Sequence, residues 1–459
     1  NQFSYICSIE KFIFKLINNY VIFLFLIMLI SGWGNFPKIN AIKHEHWSIN
    51  QIQKLIKNSN EFIPSGLLRS YGDSALNNTL VSSLQLNKIL EFNPEQKKIT
   101  CESGISFKDL INFLSKFSLT LPVTPGTKFI TLGGAIASDI HGKNHHLQGT
   151  FGSWVESIRL IDGDGNIHNC SKTENVDLFF ATIGGMGLTG FILDATINLI
   201  ELDSSLIEQT TIKARELTHL FELFEEYQNE QFTVSWLDTN AVKNKKGRGI
   251  LFIGKPGKSN KKLELTDPKI NVPFNFPRRT LNKFTVSILN NTYYFINKSG
   301  NKIVTFDKFF YPLDLIKNWN RGYGKSGFFQ YQFVVPKDKS LQTITKVLAK
   351  MQEKGISSFL TVLKLMGKEN NFLLSFPMEG YTLAMDIPLS RRNLELANEL
   401  DKIILDANGR LYLTKDARMN KEFFWKTYTN VQKFLEVKAK YDPNNKFQSL
   451  QSKRLGIYL

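Results

Sequence analysis

Three glycine-rich segments in the first half of the chain have the residue types for phosphate chemistry. They are Gly66-Leu67-Leu68-Arg69-Ser70-Tyr71-Gly72-Asp73, then Pro125-Gly126-Thr127 with Thr131-Leu132-Gly133-Gly134-Ala135-Ile136-Ala137-Ser138-Asp139-Ile140-His141-Gly142, and lastly Gly184-Gly185-Met186-Gly187-Leu188-Thr189-Gly190. Glycine lets backbone N–H groups come close to phosphate oxygens, and successive N–H groups form anion-binding hollows. None of the three has the GxGxxG spacing of a strand-to-helix dinucleotide turn, and none ends in the Gly-Lys-Ser/Thr of a P-loop. A single glycine-rich turn carries little information. Three in order between residues 66 and 190 predict an extended cradle for a phosphate-bearing cofactor.

Further along lie side chains that could act on a substrate. Lys415 follows a predicted strand over Arg410–Leu413, where a lysine can orient a hydroxyl, bind phosphate or, if desolvated, take a proton. The competing reading is a solvated surface lysine. Gln330 and Gln332 alternate with Phe329, Tyr331 and Phe333, so a strand there puts both amides on one face. Amides facing a pocket hydrogen-bond sugar hydroxyls; otherwise the pair marks an exposed polar face. Lys364, Trp236 and Phe310 are further candidates for a pocket wall. His141, His145 and His146 cluster within six residues, but only Asp139 accompanies them, and no metal site is expected.

The elements that must position these residues are read from periodicity. Helical patterns cover Trp47–Lys57, Phe107–Phe117, Leu341–Lys354, Asn393–Ala407 and Phe423–Tyr441. Strands are expected at Leu80–Leu86, Lys98–Cys101, Leu188–Ile200, Phe328–Val334 and Ser357–Leu365. A hairpin should turn at Asp162-Gly163-Asp164-Gly165, and near Leu202 the chain becomes longer-looped and richer in aromatics. The result is an α+β architecture in two main lobes.

With 459 residues, 42% of them hydrophobic, the chain can bury a sizeable core. Cys7, Cys101 and Cys170 lie far apart without a CxxC pair, which excludes a disulfide framework. The formal charge of +16 favours anionic partners, such as an acidic lipid surface or a phosphorylated substrate. The lysines form no dense run, which leaves room for a purely compositional origin of the charge, and nucleic acid is not among the expected partners. Residues 1–31 form a candidate membrane anchor or signal-like segment, centred on the apolar run Leu16–Ile30. That run is short for a spanning helix of about 20 residues and lacks a small-residue cleavage site.

The glycine-rich segments resemble the vanillyl-alcohol-oxidase-type (PCMH-type) FAD-binding family. Within it, Arg69–Asp73, Asn320-Arg321, Tyr331-Gln332-Phe333, Thr414-Lys415-Asp416 and the string Asp139–His146 resemble the branch that oxidises polyprenyl-phospho-pentoses. The resemblance implies a two-part FAD-binding domain, 32–201 and 411–459, with an inserted α+β substrate domain at 202–410. It wraps Pro64, Ser65 and Ser74, with the loop they flank, around the FAD pyrophosphate. It lines the cofactor with Gly126, Thr131, Leu132, Gly133, Gly134, Ser138, Asp139, Ile140 and His141, and puts Ile192 and Tyr412 on the flavin side. Lys415 takes the family's catalytic position.

Two departures stand out: Leu68 replaces a usual glycine, and Ala384 a cysteine found in mycobacterial members. The implied reaction is oxidation of the C2 hydroxyl of a lipid-linked phosphosugar to a keto-sugar, the first half of an epimerisation in cell-envelope glycan precursor synthesis. A separate NAD(P)-dependent reductase completes it, and the enzyme is expected to associate with an anionic membrane surface. The alternatives are a sugar-1,4-lactone oxidase and a flavin-binding, membrane-associated protein without turnover. Many relatives tether the flavin through a histidine where this chain has Arg69. A delocalised, always protonated guanidinium is a poor nucleophile, so the FAD is expected to be non-covalent.

Overall fold

The computed structural model describes residues 27–45, 48–240, 247–259, 262–277 and 280–459. Two sheets occupy the first half of the chain. A four-stranded sheet has the order 27–31, 38–45, 79–82, 63–65, with parallel pairing among its last three strands. A five-stranded antiparallel sheet has the order 89–93, 98–102, 191–198, 155–161, 167–171. The predicted hairpin closes it, with Ile161 opposite Ile167 around the Asp162–Gly165 turn. The Asp162 carboxylate caps that turn by accepting the Asp164 and Asn166 N–H groups at 2.9 and 2.8 Å.

An eight-stranded antiparallel sheet dominates the second half. Its order is 300–305, 206–214, 249–256, 232–237, 361–366, 380–388, 328–336, 410–411. The helices Lys337–Glu353 and Arg391–Asp406 pack beside it and stop where expected, with Gly355 and Asn408 both at φ +60°. The mixture of sheets and helices is α+β.

Several local expectations are corrected. The helix expected over Phe423–Tyr441 is two, Lys421–Thr427 and Val431–Tyr441, followed by a third at Leu450–Leu455. The break falls at Tyr428, whose ring is buried and whose hydroxyl donates to the Leu411 carbonyl at 2.6 Å. The strand expected at Leu80–Leu86 is only Thr79–Ser82, and that at Ser357–Leu365 is Thr361–Met366. A 14-residue helix at Lys283–Ile296 was not foreseen, because its apolar residues cover more than one face. Ile27–Ser31, the end of the apolar N-terminal run, is a strand paired with 38–42; the rest of that run lies outside the described residues. Among the described residues no helix is long and apolar enough to cross a membrane.

The C-terminal helices clamp the glycine-rich region through a buried ion pair. Lys438, fully buried, donates to Asp442 at 2.5 Å and to the carbonyls of Leu188 and Phe447 at 2.9 Å each. Removing one partner leaves a buried carboxylate without its counter-charge, which costs about 3–5 kcal/mol. Lys438→Met should therefore lower the urea midpoint strongly, followed by tryptophan fluorescence. A midpoint equal to that of the parent would show that the pair contributes nothing.

Candidate functional site

Cross-strand register assembles one face of the large sheet. Gln330 lies opposite Asp386, and Gln332 opposite Ala384, which continues through Val362 to Trp236. Lys364 lies opposite Thr382 in the next row. Residues directly opposite share a face, so Gln330, Gln332, Asp386, Lys364 and Trp236 project from the same side. Gln332 is buried and Gln330 half-buried, so this is not an exposed polar face. Phe329, Tyr331 and Phe333 are buried on the other side, where the Tyr331 hydroxyl donates to Asp401 at 2.9 Å.

The second glycine-rich segment delivers His141 to this face. One ring nitrogen, Nε2, lies 3.2 Å from Gln332 Nε2, and the other, Nδ1, lies 3.0 Å from Lys364 Nζ. Burial, then the neighbouring Lys364 charge, pushes the imidazole well below its ordinary pKa, so it is neutral. A neutral ring has one N–H, so one neighbour must accept: either Lys364 as the free amine or the Gln332 amide turned to present its oxygen. Burial brings Lys364 down to about 7, which makes the amine accessible near neutral pH. Lys143, two residues beyond His141, is also brought down to about 7 by burial and donates to the Phe309 carbonyl.

Lys415 arrives from the opposite side. Tyr412 N–H donates to the Gln332 carbonyl at 3.0 Å, and Lys415 N–H to the Tyr412 carbonyl at 3.0 Å, so the turn after strand 410–411 is tied to the glutamine strand. Lys415 Nζ sits 3.8 Å from the centre of the Tyr71 ring. Burial lowers its pKa, and the Asp386 carboxylate acts against that shift; burial in turn raises the Asp386 pKa. One Asp386 oxygen accepts from Gln330 at 2.6 Å, and the other is buried without a partner. Asp386 and Lys143 were not singled out from sequence. Asp386 lies in a strand whose neighbours are apolar, and only the sheet register pairs it with Gln330. Lys143 was inside the His141-containing string.

The glycine-rich loops interlock too closely for side chains. A Cβ on Gly66 would meet Thr131 Oγ1, and one on Gly72 would overlap the Asp416 carbonyl. A Cβ on Gly133 would press on Ser103, whereas the space around Gly126 is open. Ser65 and Ser103 hydroxyls are buried without partners. Among the described residues, the backbone N–H groups of Leu67, Leu68, Arg69 and Ser70 have no protein acceptor. Unfilled backbone donors and orphaned hydroxyls at these loops fit a polyanionic cofactor.

Other candidates serve the loops themselves. Arg69 stacks on Trp33, its guanidinium carbon 4.1 Å from the ring centre. Asp73 pairs with Arg454, and Ser74 is buried. The Asp139 carboxylate accepts from Gly152, Asn370 and Ser375, leaving only its backbone for a ligand. Tyr412 donates to the Ser138 carbonyl at 2.9 Å and stacks on Phe376, and Ile192 is buried in strand 191–198. The Trp236 indole N–H is spent on the Phe359 carbonyl. Phe310 belongs to an aromatic cluster with Phe232, Phe306 and Phe309 beside Lys143. Among the described residues no group of three or more His, Cys, Asp or Glu side chains is arranged to hold a metal.

Residues 47–171 match the FAD-binding-domain family model, and together with the similarity described next this makes the chain an FAD-dependent oxidoreductase. Decaprenylphosphoryl-β-D-ribose oxidase of Mycolicibacterium smegmatis is 34% identical over 86% of this chain and 89% of its own length. L-gulonolactone oxidase of Mus musculus is 32% identical over 25% of this chain and 26% of its own. Delta(24)-sterol reductase of Rattus norvegicus is 31% identical over 26% of this chain and 23% of its own. The chain belongs to the decaprenylphosphoryl-β-D-ribose oxidase family.

Leu68 provides a direct test of the loop. It holds φ +52°, the left-handed region that costs a side-chain-bearing residue about 1–2 kcal/mol. Leu68→Gly should raise the melting temperature by a few degrees and leave FAD affinity unchanged, read by thermal melting and fluorescence titration. A lower melting temperature would show that the packing of Leu68 outweighs its strain.

Proposed function

We propose that this enzyme oxidises the C2 hydroxyl of a polyprenyl-phospho-pentose to a keto-sugar, with FAD held non-covalently at the interlocked loops. The supporting observation is the gathering of Gln332, Lys364 and Lys415 around His141, with Gln330 on the same sheet face and Lys143 close behind. Amides bind sugar hydroxyls. Three buried lysines make a site that seeks an anion, as a phosphosugar requires. The relative similar over most of the chain is named for a lipid-linked ribose, whereas similarity to the lactone oxidase covers a quarter of the chain.

On this reading the lobes divide at 201/202 and 410/411. The product passes to a separate NAD(P)-dependent reductase, and the enzyme works at an anionic membrane surface of the cell envelope. FAD, when bound, supplies the hydride acceptor. Gln330 and Gln332 orient the sugar, and Lys415 Nζ takes the hydroxyl proton as the C–H bond breaks. Lys364 holds His141 in place and adds positive charge. Lys415→Ala should keep FAD bound and slow anaerobic flavin reduction at least about 100-fold.

The pH dependence has a defined sign. A base acts when unprotonated, so the rate rises as pH climbs through the lowered Lys415 pKa. Asp386 holds that pKa up, so Asp386→Asn should move the rise to lower pH in stopped-flow traces. A rate near the parent's in Lys415→Ala, or an unmoved profile in Asp386→Asn, would sink this assignment. Bleaching by sugar lactones and not by phosphosugars would replace the substrate.

Two placements support non-covalent binding, that of Arg69 and that of His141, the alternative nucleophile in the glycine-rich segments. Arg69 is stacked on Trp33, and both His141 nitrogens are engaged. Acid denaturation should release all yellow colour into the supernatant. Flavin fluorescence migrating with the denatured chain would contradict it.

A further inference from the structure

The helix Lys283–Ile296 is apolar on its outer face as well as on part of its inner one. Its inner side is held by the buried Val286, by Asn290, which donates to Asp238 at 2.7 Å, and by Tyr293, whose ring lies 4.9 Å from Trp236 on the site-bearing face of the sheet. Its outer side presents Phe284, Ile288, Leu289, Phe295 and Ile296, with Phe284 and Phe295 73% and 78% exposed. A surface helix normally turns charged and polar residues outward. The strap Ile270–Phe276 adds exposed Ile270, Phe274 and Phe276.

The strap is pinned next to the site. Arg321 Nη1 donates to the carbonyls of Val272 and Pro273 at 3.1 and 2.8 Å, and Phe276 N–H donates to the Arg321 carbonyl at 2.9 Å. From there Tyr323 stacks on Phe328 at 4.2 Å, Phe328 meets the edge of Tyr71, and Lys415 lies over Tyr71. Charge marks the same region. The sequence has no Asp or Glu between Asp267 and Asp307. Lys269, Lys283, Lys298 and Lys302 are exposed there, and among the described residues none has a carboxylate within ion-pair distance.

We propose that the outer face of helix Lys283–Ile296, with the strap Ile270–Phe276, docks this enzyme on an anionic lipid bilayer. An apolar face rimmed by lysines matches an interfacial helix, whose apolar side chains enter the acyl boundary while the cations meet headgroup phosphates. A second copy of the chain fits less well, because a symmetric contact would bring the same lysines together. The docking surface deepens the proposed function: it presents the path toward Lys415 to a substrate dissolved in the membrane.

The test is hydrogen–deuterium exchange of the full-length holoenzyme with phosphatidylcholine vesicles, with and without about 30% phosphatidylglycerol, at low and high salt. Exchange over 283–296 and 270–276 should slow only with the anionic vesicles and recover in high salt. Phe284→Glu/Ile288→Glu/Phe295→Glu should weaken vesicle co-sedimentation at least about tenfold, while flavin reduction by a soluble short-chain phosphosugar stays at the parent rate. Lys283→Gln/Lys298→Gln/Lys302→Gln provides the same test without touching the apolar face. Vesicle-bound protein with unchanged exchange in these segments overturns the proposal, as does equal protection by neutral vesicles. Protection that grows with protein concentration without vesicles assigns the face to a second copy and overturns it too. Slowed exchange without flavin reduction rejects the substrate and keeps the docking surface; the opposite result does the reverse.

Discussion

His141 joins the glycine-rich half of the molecule to the large sheet through both of its ring nitrogens, and the site depends on that bridge. It comes from the second glycine-rich segment, while Gln332 and Lys364 come from two different strands. The bridge works because the ring is neutral: a buried imidazolium beside Lys364 would add a second uncompensated charge. Behind it, Asp139 accepts three hydrogen bonds from Gly152, Asn370 and Ser375 and so fixes the backbone that carries the histidine. A rigid loop and a rigid sheet thereby meet at one side chain.

Around this bridge the site is short of negative charge. Lys143, Lys364 and Lys415 are all buried, and burial pulls each below its ordinary pKa. Asp386 is the acid whose charge opposes the Lys415 shift, and its own pKa is raised by burial. Such a cluster costs folding free energy in the empty enzyme, and the cost falls when anionic ligands enter. Binding of phosphate-bearing molecules and stability are therefore linked here. The interlocked glycines add a steric requirement, since Gly66 and Gly72 sit against Thr131 and Asp416 with no room for a Cβ.

The surface follows a different logic from the site. Exposed Phe284 and Phe295 bring no packing energy to the isolated chain, and their helix is held from its inner side by Asn290 and Tyr293. An apolar face that the fold does not use for its own stability is available to a partner.

The sequence by itself determined the local features. Glycine spacing marked the cradle, because only glycine permits such close backbone approach. The alternation of Gln330 and Gln332 with Phe329, Tyr331 and Phe333 put the amides on one face, because side chains alternate along a strand. Gly355 and Asn408 ended their helices, because both tolerate the left-handed conformation that a helix stop needs. Leu68 occupies that same conformation without being glycine, something a residue-type rule does not predict. Tertiary structure alone decided which distant residues meet. Asp386 faces Gln330 across 56 residues of chain, Lys364 reaches His141 across 223, and Trp236 and Phe310 are drawn into contacts of their own. The long C-terminal helix was divided for the same reason, since burying Tyr428 against the Leu411 carbonyl outweighs continuous helical periodicity. Periodicity reports which face of an element is apolar, whereas register and long-range packing fix its partner, and in this enzyme the chemistry lies in the partners.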